Sequence, residues 1–485
     1  MTELRGRAER AEAQVAALTD IVGKMQHDMA ALTRRLLGPK SEKLPPITRE
    51  LRENTPVDFE AVLKKRRERQ QAKAELAKET VHYPVPEAQR RCPKCGGSQL
   101  RPLGEGKATT LYDYQPPRFV VRQEVRETLS CRCGEGIVTA EGPIHWQEKS
   151  RYSAAFVAHV ITAKCADSLP LYRLEKGFQR LGVPMARSTM TDMFHASAEL
   201  LRPLSERLLA LVREAPVVHA DETSLKVQAE GKCRTGFVWN FRTTEPRPLI
   251  AYRFSPSRSG ETPKQILGGT TGALVVDGYT GYNAVTDVHG RERVACHAHV
   301  RRYFFDALPT APEARRALDL IRELYRVEQA AFEGRIVRTP QHLTLRRERS
   351  APIRTELKAW LDEAQEQHPP KSPLGTAIRY TLNHWEMLGC FLEDARIPLD
   401  NNPAEAALRR VALGRKNFLF VGHDRAGENL AGLYSLVATC EANDVNPLAY
   451  LTDVIIRIHE HPNSRIDELL PHNWRGPPDE SASAA

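Results

Sequence analysis

Residues 215–227, APVVHADETSLKV, decide how this chain is read. Val217 and Val218 open an apolar, β-branched run that resumes at Leu225 and Val227, the alternation of a strand packed against a core. Asp221 interrupts that run. A carboxylate in a central strand is costly unless it is paired or bound to metal, so the position asks for partners elsewhere. Moving outward, GFVWNFRTT (236–244) and PLIAYRFSPSR (248–258) read as two further strands, followed by a short helix around Pro263 to Leu267. GALVVDGYTGY (272–282) then repeats the first pattern, with Asp277 directly after Leu274, Val275 and Val276. RVACHAH (293–299) reads as one more strand leading into Val300–Phe304.

Three adjacent strands, a helix and a parallel return strand predict a ribonuclease-H-like α/β layer over residues 215–305. Residues 306–396 carry a helical pattern with no strand signal and read as an insertion. The core resumes in residues 397–440, where IPLDNNPAEAALRRVALGRKNFLF (397–420) puts Glu405 in the first turns of a helix. Arg409 follows one turn later, and Lys416 is expected just past the helix end. Two strand aspartates repel each other, and a divalent cation relieves that repulsion. Asp221, Asp277 and Glu405 are therefore candidate ligands for Mg²⁺ or Mn²⁺, which favour hard oxygen donors. Two such ions would serve phosphoryl transfer between phosphodiesters. Taken singly, each Asp reads better as a strand-end turn cap, and Glu405 with Arg409 can be a plain surface i, i+4 pair; it is the two strand aspartates followed by a helix-borne Glu that favour the metal reading. Arg409, Lys416 and Arg301 are candidates to hold DNA phosphates. Asn401 and Asn402 are candidates to cap the helix or contact the strand being cut, and His299 to line the cleft.

The remaining segments predict separate modules. In residues 1–37 the apolar positions Leu4, Ala8, Ala11, Val15, Leu18, Val22, Met25, Met29, Leu32 and Leu36 alternate spacings of four and three, a heptad stripe that predicts a coiled coil and self-association at least to a dimer. A single amphipathic helix packed on its own domain is the simpler alternative. Residues 38–85 are a charged linker; KKRRER (64–69) reads as a solvated face. In residues 86–148, Cys92 and Cys95, then Cys131 and Cys133, form two glycine-followed turns. They flank a strand-rich segment and predict a zinc-ribbon-like module with four soft thiolate ligands for Zn²⁺. The second pair is CxC rather than the commoner CxxC. Residues 149–214 are helical, with a break at Gly182-Val183-Pro184 and Ser188 as the expected N-cap of the following helix. That pattern fits a helix-turn-helix whose Arg187, Ser188, Thr189 and Thr191 reach DNA, and it also fits a plain helical core. Residues 441–485 read as a C-terminal helical segment and tail.

With 485 residues and 41% hydrophobic content, the chain is long enough for several cores. Its 70 basic and 61 acidic residues give a mixed charge of +9, which permits a nucleic-acid partner. Nine scattered cysteines, no apolar leader and no run long enough to span a bilayer predict a cytoplasmic protein without a disulfide framework or a membrane partner.

The order HADET, VVDGYTGYN, CHAHVRRYF, then IPLDNNPAEAALR with GRKNFLF resembles the transposases of the IS66 insertion-sequence family. The resemblance spans nearly the whole chain, including the N-terminal stripe, GPKSEKL, the four cysteines and the LPLYR region. It implies that Asp221, Asp277 and Glu405 match the family's DDE triad in a ribonuclease-H-like core with a helical insertion. It also implies double-stranded DNA as partner, as terminal inverted repeats and as target, in the bacterial nucleoid, and accessory proteins from the same element. His297 stands where the family carries Trp, and Ala406 where a basic residue is common. A zinc-containing DNA-binding protein without catalysis, and a nuclease without strand transfer, are the competing expectations.

Overall fold

The computed structural model describes residues 119–130, 137–287 and 290–476, together with Val15, Leu18, residues 21–23, Met25, Arg67, Gln71 and Lys94. The chain divides into two units, residues 37–118 and the remainder, and every element named below belongs to the latter. Cys92, Cys95, Cys131 and Cys133, and nearly all of the linker, lie outside the described residues. So does most of the heptad stripe; its members Val15, Leu18, Val22 and Met25 are helical and exposed.

A short exposed hairpin, β1 (Thr128–Ser130) and β2 (Ile137–Thr139), precedes four helices: α1 (Ala154–Cys165), α2 (Leu171–Arg180), α3 (Arg187–Leu200) and α4 (Arg202–Glu214). The Ser153 hydroxyl caps α1 by accepting from the Phe156 amide. The break between α2 and α3 falls where the sequence places it, with Gly182 in the left-handed region at φ 80°. The N-cap of α3 is Ala186, however, and Ser188 is already inside the helix, so the expected Ser188 cap is not made. Arg187 and Ser188 are exposed at this helix start, and the Thr191 hydroxyl turns back to the Arg187 carbonyl.

The centre is a mixed five-stranded sheet. β3 (Val217–Ala229), β4 (Lys232–Thr243) and β5 (Ile250–Ser255) form an antiparallel meander. After α5 (Glu261–Leu267) the chain adds β6 (Gly272–Val275) parallel to β3; then, past α6 (Asn283–Thr286), it adds β7 (Arg291–Val294) parallel to β6. The spatial order is β5-β4-β3-β6-β7, which puts β3 in the middle. Its first four residues are all buried, as expected for a strand covered on both faces. Val218 and Ala220 join Trp239, Phe241, Leu274 and Tyr282 in one core; Val217 joins Val275, Val294, Phe391 and Leu399 in another. This is the two-residue alternation of side chains about a strand.

RVACHAH is not a strand throughout. β7 stops at Val294 and α7 begins at His297, running to Ala307, because the amides of Ala295 and His297 are taken by the carbonyls of Met387 and Leu399 instead of a sheet partner. His299 and Arg301 therefore stand on a helix. The chain continues through α8 (Arg315–Glu333), α9 (Pro340–Leu345), one π-helical turn (Arg346–Ser350), α10 (Ala351–Gln367) and α11 (Pro373–Asn383). No strand occurs between 306 and 396. Arg346 joins this helical block to the stretch that follows: it grips Glu328 through Nε and Nη2 at 2.8 and 2.7 Å, and donates from Nη1 to the carbonyls of Phe391 and Ile397, each at 2.9 Å.

The last elements are α12 (Asn402–Phe418), α13 (Asp424–Ala442) and α14 (Pro447–Arg457). Lys416 lies in the final turn of α12 rather than beyond it. Gly414 does not stop this helix. A Cβ there would come within 2.6 Å of the Tyr434 hydroxyl, so glycine serves close packing. The helix ends at Leu419, in the left-handed region at φ 67°. No helix among the described residues is long and apolar enough to cross a membrane.

Candidate active site

Asp221 is the fifth residue of β3, opposite Asn240 of β4. One of its carboxylate oxygens accepts from the Glu222 amide at 2.8 Å. Asp277 lies two residues past β6 and accepts from the Tyr279 amide at 2.9 Å. The parallel pairing of β3 with β6 ends at His219 and Val275, so Asp221 and Asp277 each lie two residues past that last pair. Glu405 comes from the first turn of α12.

Helix α12 is pinned to β3 on either side of Asp221. At its start the Asn401 amide nitrogen donates to the Ala220 carbonyl at 2.8 Å, and its oxygen meets His219 Nδ1 at 2.9 Å. Near its end Arg415 Nη1 donates to Thr223 Oγ1 and to the carbonyl and hydroxyl of Ser224. Past the helix, the Val421 amide donates to the Lys226 carbonyl and its carbonyl accepts from Gln228. These bonds fix the height of Glu405 relative to Asp221.

The electrostatics follow from this convergence. Burial first, then the charges of Glu222, Asp277 and Glu405, push the Asp221 carboxyl from 3.8 up to about 7, against the opposing effect of the Glu222 amide. The neighbouring Glu222, missed in the sequence reading, has a nearly inaccessible side chain. It is held by Arg258 at 2.6 Å and the Tyr282 hydroxyl at 2.6 Å. Glu222 is thus held by these two partners rather than free to act as a ligand, while its charge still bears on Asp221.

Glu405 is met by residues of α7. His299 Nδ1 stands 3.7 Å from Oε1 and Arg302 Nη2 3.6 Å from Oε2. Both His299 Nδ1 and Glu405 Oε1 are buried without a hydrogen-bond partner. Cys296, His299 and Glu405 bring ligand atoms within 4.8 Å of one another, whereas Asp221 and Asp277 are not in that close group. Burial pushes the Cys296 thiol up to about 12, so without a metal ion it is protonated. The donor set around Asp221, Asp277 and Glu405 consists of hard carboxylate oxygens, one of them orphaned, in mutual repulsion. Hard oxygen donors of this kind suit a divalent cation.

Other expected site residues separate into two groups. Arg409 and Lys416 are exposed on α12, on the helix that carries Glu405. Arg301 is half-buried, and burial lowers its guanidinium. Asn401 is buried and spends its side chain on β3, so it neither caps α12 nor faces solvent. Asn402 is exposed, and its side chain donates to Asp400 Oδ2 at 2.8 Å. Arg187, Ser188, Thr189 and Thr191 lie on α3, away from these contacts in the chain order. Arg302, Arg258, Tyr282 and Arg415 were not foreseen. Reading HAHVRRYFFDA as a helix would have put His299 and Arg302 on one face, three residues apart.

Three family models match the chain. The model of the Transposase IS66 family matches residues 149–429, that of the IS66 C-terminal element residues 435–472, and that of the zinc-finger binding domain of transposase IS66 residues 89–134. The last range contains all four cysteines of the predicted zinc module. Among curated relatives, the uncharacterized protein y4jD of Sinorhizobium fredii is 34% identical over 423 residues, covering 82% of this chain and 81% of its own. A second, y4hP of the same organism, is 34% identical over 409 residues, covering 79% and 73%.

Proposed function

The chain belongs to the IS66 family of transposases, and from that premise we propose that it cuts and joins DNA through Asp221, Asp277 and Glu405, acting on the terminal inverted repeats of its own element. The observation that supports this reading is geometric: β3 and β6 run parallel with Asp221 and Asp277 each two residues past their last paired position, and Asn401 and Arg415 tie the helix of Glu405 to β3 on either side of Asp221. The sheet order supports a ribonuclease-H-like core: an antiparallel meander followed by two parallel strands, with β3 central.

Asp221, Asp277 and Glu405 would hold Mg²⁺ or Mn²⁺, which supplies activation of the attacking oxygen and charge stabilisation on the leaving one. The chain's own residues set the stage. The Glu222 and Tyr279 amides orient the two aspartates, the β3 anchors hold α12 at one height, and Arg258 and Tyr282 fix the Glu222 carboxylate in place. Arg302, Arg409 and Lys416 are exposed cations on the two helices nearest Glu405, suited to DNA phosphates. The exposed apolar side chains Val15, Leu18, Val22 and Met25 support self-association through the N-terminal helix, which would bring two sites to two DNA ends. The exposed start of α3 is proposed as a further DNA contact.

The test is strand joining by full-length, zinc-loaded protein on duplexes carrying the element's ends, with Mg²⁺. Glu405→Gln is expected to lower joining by about a thousandfold or more while leaving end binding intact. Joining by the variant at the wild-type rate would remove the catalytic reading, and nicking without joining would mark a nuclease instead.

The zinc module is tested separately. Cys92→Ser is expected to lower bound zinc per chain and weaken DNA binding, because structural zinc contributes folding free energy. Metal analysis of the purified variant decides: zinc equal to that of the wild type excludes Cys92 as a ligand.

A further inference from the structure

Three closely spaced aromatic rings follow one another beside the acidic site. Tyr303 of α7 lies 4.5 Å from Tyr380 of α11, ring centre to ring centre, with planes 33° apart. Tyr380 in turn lies 4.4 Å from His384, at 34°. These are the two shortest ring spacings among the described residues. Elsewhere the molecule favours edge-to-face pairs, such as Phe119–Phe178 at 88° and Tyr450–Trp474 at 86°.

The inner rings of the stack touch the chain at Asp277. Gly278 packs so closely that a Cβ there would sit 3.2 Å from the Tyr380 ring and 3.5 Å from His384 Nε2. The outer ring faces water: Tyr303 is 38% exposed. It follows Arg302 directly and His299 by four residues, so it shares the α7 face whose His299 and Arg302 approach Glu405. The stack thus bridges the two sides of the site, from Gly278 to the helix opposite Glu405. Its exposed end lies next to Arg302, a cation with 61% of its side chain in solvent.

A partly exposed tyrosine followed by two closely spaced, tilted rings, beside a cation and a carboxylate cluster read as holding a phosphodiester, matches the chemistry of an unpaired nucleobase. A paired base keeps its faces inside the duplex and has none to offer. We propose that Tyr303, supported by Tyr380 and His384, stacks an unpaired base of the DNA end adjacent to the phosphodiester held at Asp221, Asp277 and Glu405. This inference rests on the catalytic reading above and adds to it a substrate form: a DNA end that is locally opened at the point of reaction.

The experiment uses full-length, zinc-loaded protein and element-end duplexes with 2-aminopurine at each nucleotide next to the scissile phosphate. On fully paired ends, Tyr303→Leu is expected to lower joining roughly 5- to 100-fold, the range that loss of one base–aromatic stack produces. Tyr303→Phe is expected to stay close to wild type, which separates loss of the ring from loss of the hydroxyl and from misfolding. One 2-aminopurine position is expected to brighten on leaving the DNA stack in Tyr303→Leu and to stay quenched against the ring in the wild type and Tyr303→Phe. Ends already mismatched beside the scissile phosphate are expected to narrow the gap between Tyr303→Leu and wild type. An active wild type with Tyr303→Leu equal to it in joining and fluorescence overturns the stack alone. A wild type that joins no ends overturns the catalytic reading and the stack with it.

Discussion

Asp221→Asn is expected to abolish strand joining and, at the same time, to make the Mg²⁺-free protein more stable at pH 8. Burial and the neighbouring acidic charges raise the folded-state carboxyl from 3.8 to about 7. A group whose folded value lies above its unfolded value stabilises the fold fully below the unfolded value, and that contribution is lost as pH rises through the folded one. For Asp221 the loss runs from about pH 4 to about pH 7, and the span corresponds to about 4 kcal/mol. By pH 8 the wild type carries an ionised carboxylate among like charges. Asn keeps the shape and can still accept from the Glu222 amide, but carries no charge. Thermal unfolding of Mg²⁺-free protein, prepared by dialysis without chelator so that zinc is retained, should show the wild-type Tm falling from pH 5 to pH 8 more steeply than that of the variant. Mg²⁺ at pH 8 should then raise the wild type and leave the variant unchanged. Parallel pH profiles for the two proteins would show that Asp221 does not carry this strain.

The second large effect is structural. Arg346→Met is expected to cost ~3–5 kcal/mol, the usual penalty for breaking a buried ion pair by removing one partner. The side chain is almost wholly buried, and its loss strands the Glu328 carboxylate together with the carbonyls of Phe391 and Ile397. Urea unfolding measures the loss directly. Joining should fall as well, because residues 391–397 feed the start of α12. The double variant Arg346→Met with Glu328→Met should recover part of the stability, since no unpaired charge remains. A single-variant cost under about 1 kcal/mol would mean that water replaces the guanidinium.

Much of the site could be read from the sequence because its signals are local. The alternation around Asp221 and the apolar run before Asp277 locate two neighbouring strands, and the pattern after Asn401 locates the helix of Glu405. What the sequence conceals is carried by contacts between distant segments. Asn401 reads as a cap or a DNA contact, yet its amide is used on His219 and Ala220, 182 and 181 residues away. His299 reads as the end of a strand and Arg301 as lying just past it, because Val294, Ala295 and Cys296 continue the apolar run. Two carbonyls from 387 and 399 end the strand there, and no local residue announces them. Lys416 reads as lying beyond its helix, but the helix runs on to Phe418. Glu222 sits in plain view beside Asp221, and only Arg258 and Tyr282 reveal that its carboxylate is already held.

The bonds that tie α12 to β3 also set a timetable. A chain emerging from the ribosome displays both aspartates long before residue 401 exists, and neither Asn401 nor Arg415 can fasten Glu405 to β3 until the chain has nearly reached its end. On the catalytic reading, a nascent or prematurely terminated product holds the zinc module and the α3 surface but has no third carboxylate. Such products would occupy the element's ends without cutting them, so order of synthesis restrains the enzyme before any regulator does.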